Sequence, residues 1–410
     1  MKSSYRNGLM ILALLGGVES AAADVISDWN DRVVQFTVDR KMLPPVAERL
    51  TAMAQVAMFD AVNSIDRKYR PYLIQLPAEA GASREAAAAT AAAMVLAGID
   101  SQARDSMKAA LAEYLKSIPD GLAKNASVEL GRTVAEKVLA ARSNDGATAP
   151  NTYRPRTAPG IYVPTIATAV PHWPGVKPFA LSSASQFRPA APIALDSPEW
   201  SANYNEVKEY GALNSTKRST RQTEDARFWL AADGRVFYPL VRQLAKEKKL
   251  SVIDSARLYA LSAVARADSL IAVFDAKYHY EFWRPITAIR NGDIDGSATE
   301  RDPAWQPVDA TPMHPEYPCA HCIESAALAG VIEAVFGTDE VPEVSLTSPT
   351  APGIIHHWTN VRAFTDEVSQ ARIWAGFHWR FSTKVGQDMG YRIGAYVAEN
   401  LMQPSAVAAR

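Results

Sequence analysis

Lys277-Tyr278-His279-Tyr280-Glu281-Phe282-Trp283-Arg284-Pro285 sets a lysine and an arginine seven residues apart among aromatics. It closes an apolar, helically periodic run, and the spacing predicts one long helix from Ser251 to about Trp283. Seven residues is close to two helical turns, which puts Lys277 and Arg284 on one face. Two cations on one face make a poor core surface and a good clamp for an anion.

Outward from this stretch the chain reads as helices. Val46 to Ser64 places Ala47, Leu50, Met53, Ala54, Ala57, Met58, Ala61 and Val62 at helical spacing. Arg84 to Ile99 is rich in alanine, the best helix former. Leu122 to Ala141 is a further amphipathic stretch. Between 143 and 200, ten prolines exclude long helices, while Trp173, Phe179 and Phe187 predict an ordered wrap. Helices are expected again over 200–211, 222–232, 237–248, 323–336, 366–379 and 387–402, with loops at 291–318 and after 336. Strand signals are few and short. The fold class is all-α, helical bundles packed on one another. The expected organisation is an N-terminal helical region (24–142), a Pro-rich wrap (143–200) and a helical region carrying the site (201–402), with 24–402 one compact unit.

Composition sets bounds. The 410 residues are 48% hydrophobic, enough for a sizeable core. Lys and Arg number 43 against 44 Asp and Glu, so a general nucleic-acid binder is excluded and any anion site is local. Lys2 and Arg6, the apolar run Leu9 to Val18 and Ala21-Ala22-Ala23 read as a secretory signal over 1–23, with the mature chain starting near Asp24. The expectation is an exported protein, periplasmic or secreted, with no stable membrane insertion after cleavage. The cysteines, Cys319 and Cys322, stand in a Cys-Ala-His-Cys run without the βαβ pattern of a redox dithiol; the sequence leaves open whether they are joined.

Two later segments supply what a clamp needs. Pro318-Cys319-Ala320-His321 opens the apolar helix expected over 323–336. Free amides at a helix start favour anions, and the small Ala320 lets an oxyanion approach the backbone. His321 then stands beside that anion as a proton donor. Arg372 is followed six residues later by His378. Six residues leave them about 120° apart on an ideal helix, so a common target requires a long reach by Arg372 or a helix end near Gly376. Thr365 is the expected cap of this helix.

Taken together, Lys-x6-Arg-Pro, Pro-Cys-Ala-His and Arg-x5-His resemble, in order, the motifs of the vanadium-dependent haloperoxidase and type 2 phosphatidic acid phosphatase superfamily, in its bacterial haloperoxidase-like branch. The likeness is clearest over 250–400. It implies that Lys277, Arg284 and Arg372 neutralise an oxyanion, with Cys319 and Ala320 contributing to its loop. It implies that His321 is the acid–base group and that His378 bonds vanadium, or attacks phosphorus to form a phospho-histidine. His314, on the halide side, resembles the bromoperoxidase members. The implied cofactor is vanadate, with phosphate as competing anion. The implied reactants are hydrogen peroxide and halide, or a small phosphoester, and the resemblance leaves room for a homodimer. The favoured activity is halide oxidation, bromide first. The alternatives are a phosphatase, and a non-catalytic oxyanion-binding or thiol-redox protein.

The chain also departs from the motif. Cys319 stands for its serine, Ala320 for its glycine, and Ser382 where the pattern often has an aspartate after the second histidine. A carboxylate for His378 must then come from elsewhere. Asp268 and Asp275, seven apart on the long helix, are the candidate carboxylates behind His321. His172, His279, His356 and His357 are read as structural or surface residues.

Overall fold

The computed structural model describes residues 24–405. The signal read over 1–23 lies outside them. Five helices build the N-terminal part: α1 (Val25–Asp39), α2 (Pro44–Asp66), α3 (Arg84–Ile99), α4 (Arg104–Leu115) and α5 (Leu122–Ala141). After the Pro-rich segment come α6 (Pro198–Tyr210), α7 (Thr220–Phe228), α8 (Tyr238–Glu247), α9 (Val252–Tyr280), α10 (Pro285–Arg290) and α11 (Ala320–Phe336). A hairpin, β1 (Glu340–Ser348) and β2 (Ala351–Asn360), leads into α12 (Val361–Trp374) and α13 (Arg380–Asn400). No helix among the described residues is long and apolar enough to cross a membrane.

The long helix α9 is buried on almost every side, as a helix apolar all round must be. Its one buried arginine, Arg266, is held by Glu48 of α2 at 3.0 Å and Glu324 of α11 at 2.5 Å. It ends at Tyr280, because Glu281 turns into the left-handed region (φ 50°) and Pro285 disfavours helix at Arg284. Lys277 and Arg284 therefore do not share one helix face; the second stands in the turn that caps α10.

α13 lies unusually close to α11. A Cβ added at Gly386, Gly390 or Gly394 would sit 2.6, 2.3 and 2.3 Å from the carbonyl oxygens of Cys319, Ile323 and Ala327. Spaced four apart, these glycines form one stripe, and the α11 backbone rests in it.

The Pro-rich segment holds a single short 3₁₀ turn, Trp173–Gly175, and is tied to α9 by two acids. Asp268 accepts the amides of Phe179, Ala180 and Leu181 at 2.7–2.9 Å. Asp275 takes both nitrogens of Arg188 at 2.7 and 2.8 Å. Both carboxylates are spent on the wrap, which corrects their expected place behind His321.

Other boundaries differ too. The hairpin occupies what reads as loop: Val344 pairs with Trp358 and Leu346 with His356, antiparallel, and Val344 and Leu346 are buried. Pro342, Pro349 and Pro352 mask that alternation in the sequence. α12 starts at Val361 rather than Asp366, capped by Asn360, whose side chain accepts the amides of Arg362 and Ala363. Thr365 lies inside the helix and bonds back to the carbonyl of Arg362.

Candidate active site

α9, α10, α11, α12 and the loops before α11 and α13 bring their termini to one place. Arg372 is in the last turn of α12, and the helix stops at Trp374. Gly376 follows with φ +76°, where a Cβ would meet the carbonyl of Gly211 at 2.5 Å. That break turns His378 back toward Arg372, which six residues of continuous helix would prevent.

The centre is a charged chain. Arg284 Nη1 lies 3.2 Å from His378 Nε2 and donates to the carbonyl of Phe377 at 3.0 Å. Its Nε donates to the carbonyl of His314, and its Nη2 lies 3.0 Å from His314 Nδ1. Arginine can only donate, so the facing Nε2 of His378 is assigned as an acceptor, whereas His314 Nδ1 also lies 3.1 Å from the carbonyl of Pro315 and stands between a donor and an acceptor. On the other side of its ring, His378 Nδ1 lies 2.7 Å from Glu316 Oε1, which also accepts the amide of Trp379. The proton is then on Nδ1, and Nε2 is left as an electron pair.

Glu316 is a site residue that the sequence reading missed. It supplies the carboxylate that the motif often places at position 382, reaching in from the loop before α11 to lie beside Ser382. Its signal was present in Pro315-Glu316-Tyr317-Pro318: a carboxylate between prolines, five before His321.

Lys277 Nζ donates to the carbonyls of Pro315 and Glu316 at 3.0 and 2.7 Å. Arg372 Nη1 donates to the carbonyl of Trp229, while its buried Nε has no partner. His321 Nε2 lies 3.2 Å from the carbonyl of Ala231, so its partner is a backbone carbonyl rather than a carboxylate. The 229–231 segment after α7 thus supports both Arg372 and His321, and nothing in its sequence announces this.

Lys277, Arg284, Arg372, His378 and Glu316 are at most 2% exposed. His314 and His321 are half-buried and, with Ala320, Arg372 and His378, line a cavity of about 310 Å³. Its remaining wall is mostly apolar, with Leu43, Leu270, Phe274 and Met313 prominent, and carries two carboxyl groups, Asp309 and Glu324.

Burial and mutual repulsion dominate the electrostatics. Lys277 is held well below its ordinary range, first by burial and then by Arg284. Burial, then Arg284, lowers Arg372 to about 9; burial lowers Arg284 to about 10. His314, His321 and His378 are all pushed well below the ordinary imidazole value, burial first. Burial lifts Glu316 to about 7, against the pull of Lys277 and Arg284. Three buried basic side chains face one acidic side chain, an arrangement that favours a bound anion.

Ala320 is the first residue of α11, behind Cys319 as its cap. Cys319 and Cys322 are joined in a disulfide, so Cys319 brings no S–H donor to the anion loop. What it contributes is position: its amide bonds the carbonyl of Ser382 at 3.3 Å, tying the loop to α13.

The chain is similar to known proteins in sequence and fold. Residues 257–406 match the model of the VCPO second helical-bundle domain. The vanadium chloroperoxidase of Curvularia inaequalis is 25% identical over 467 residues, covering 84% of this chain and 76% of the relative. The crystal structure of a bacterial vanadium-dependent iodoperoxidase superposes with a TM-score of 0.79 at 25% identity, over 93% of this chain and 97% of that one. An apo-type bacterial vanadium-dependent chloroperoxidase gives a TM-score of 0.71 at 17% identity, over 87% and 92%. The helical fold is that of the vanadium haloperoxidases, as the motif resemblance implied.

Proposed function

We propose that the protein is a vanadium-dependent haloperoxidase that holds vanadate in this cage and uses hydrogen peroxide to oxidise halide, bromide favoured. One observation carries the reading: a neutral His378, fixed by Glu316, aims the electron pair of Nε2 into a nest of three buried cations. That donor set would suit an oxyanion held by the three cations, with His378 Nε2 as the nitrogen that would bond its centre. The unpartnered Nε of Arg372, the half-buried Ala320 at the start of α11 and the cavity beside them fit the same guest.

Bound vanadate supplies a Lewis-acid centre that activates peroxide toward halide. The residues do the rest. Arg284 and Arg372 offset negative charge, Arg284 giving up its contact with Nε2 to the guest. Lys277, two of its three protons on carbonyls, keeps one for the guest. Glu316 holds the His378 tautomer. His321, with Nε2 toward Ala231, has Nδ1 as the nitrogen able to take a proton from a bound reactant. His314 on the cavity wall supports bromide through its motif position.

The test is a side-by-side assay of purified protein with and without orthovanadate. It compares oxidation of bromide, iodide and chloride with hydrolysis of a phosphomonoester. Vanadate-dependent bromide oxidation, abolished by His378→Ala, supports the reading. Phosphate release that vanadate inhibits would move the same residues to the phosphatase chemistry and sink it.

A further inference from the structure

Beside the cage, a second group of ligand-bearing side chains meets where α7, β2 and α12 converge. Asp225 (α7), His356 (β2) and Glu367 (α12) bring one ligand atom each within 4.8 Å of one another. The His356 side chain is fully buried, and its ring stacks on Phe228 with centroids 4.2 Å apart. Glu367 Oε1 lies 2.5 Å from His356 Nδ1, which fixes the proton on that nitrogen. Nε2 then presents an electron pair, has no hydrogen-bond partner, and stands 3.5 Å from Asp225 Oδ1.

With the ring neutral, two electron-rich atoms face each other in a buried site, and either a second proton on the ring or a cation between them offsets this. Arg221 comes within 2.8 Å of Asp225 Oδ1, but that oxygen has no aligned hydrogen bond, and the arginine side chain is 61% exposed. With Arg221 at 3.8 Å from Glu367 as well, one cation faces two carboxylates. The Asp225 carboxyl is pushed up by burial and by Glu367.

We propose that His356 Nε2 and Asp225 ligate a divalent transition-metal ion, with zinc the best fit, and that Glu367 orients the imidazole from behind. Tetrahedral zinc with ligand distances of about 2.0–2.2 Å holds its nitrogen and oxygen ligands roughly 3.4 Å apart, matching the spacing found here. A carboxylate on the far ring nitrogen is the usual support of a zinc-bound histidine. Water completes the coordination. The ion pins the hairpin and α7 to α12. The Trp229 indole also donates to Glu367 Oε1 at 3.0 Å, while its carbonyl accepts Arg372 of the cage.

The test is equilibrium dialysis of the chelator-stripped full chain against zinc, with bound metal counted by plasma emission. One zinc per chain is expected, retained in His378→Ala and lost in His356→Gln. Glu367→Gln should weaken binding about 10–100-fold. Arg221→Ala, a change at an exposed side chain, should tighten it several-fold by removing the competing cation. Cobalt should bind in its place and give the absorption of a low-coordinate site. Zinc held equally by His356→Gln, or no zinc on a chain folded by circular dichroism, overturns the proposal. Should His356→Gln unfold, unchanged zinc affinity in Arg221→Ala overturns it instead.

Discussion

At the scale of single residues, the site turns on how His378 keeps a free electron pair. Glu316 does this from the loop before α11. In Glu316→Gln the side chain still fills the space but no longer holds the imidazole as a charged acceptor. Vanadate affinity, read by equilibrium dialysis, should fall about 10–100-fold with circular dichroism unchanged. The same variant has a stability signature. Burial lifts the Glu316 carboxyl from its ordinary 4.5 to about 7. Between those values the folded chain keeps a proton that the unfolded chain has released, so this group's contribution is full below about 4.5 and is lost as pH rises through about 7. Wild type should therefore lose stability relative to Glu316→Gln across that window, by up to a few kcal/mol, in urea melts at pH 5 and pH 8. A difference that does not change with pH would remove Glu316 from the site's charge balance. The motif positions Lys277, Arg284, His321, Arg372 and His378 were readable because spacing exposes them. Glu316, Trp229 and Ala231 were not, because they act across the fold on partners far away in sequence.

At the scale of elements, the stripe Gly386, Gly390 and Gly394 sets where α11 begins relative to α13. Gly390→Ala would drive a Cβ to 2.3 Å from the carbonyl of Ile323, and backbone cannot step aside as a side-chain end can. Destabilisation of about 1–3 kcal/mol in chemical denaturation is expected, typical of overpacking. Alanine at exposed Lys137 of α5 is the control, expected within about 0.5 kcal/mol. Equal effects would show that the close approach carries no stability. The helices α2, α3, α5 and α9 were legible because long apolar periodicity is a strong local signal. The end of α9 and the β1–β2 hairpin were not. The first depends on one left-handed residue, Glu281, followed by Pro285. The second is a pair of strands whose prolines sit at the loop and edges, and whose inner face mixes Val344, Leu346 and Trp358 with the buried polar His356 and Ser348, which blurs the apolar alternation.

At the scale of the molecule, a net charge of −1 hides a concentrated positive site. Lys277, Arg284 and Arg372 are buried together, and the folded chain bears their repulsion with Glu316 as the facing acid. An oxyanion that binds only the folded state relieves that repulsion and stabilises by mass action, about 2.7 kcal/mol at one hundred times its dissociation constant. Orthovanadate, and phosphate more weakly, should raise the melting temperature by several degrees in a concentration-dependent way. Perchlorate at equal ionic strength separates specific binding from screening, since screening alone acts on every anion alike. Arg372→Ala removes a cage cation and His378→Ala the axial nitrogen, so each should lose most of the vanadate increment. A shift of equal size in both variants would place the anion elsewhere on the surface. No shift at all in wild type would mean that the cations are balanced within the fold, and the cage would then have no guest to hold.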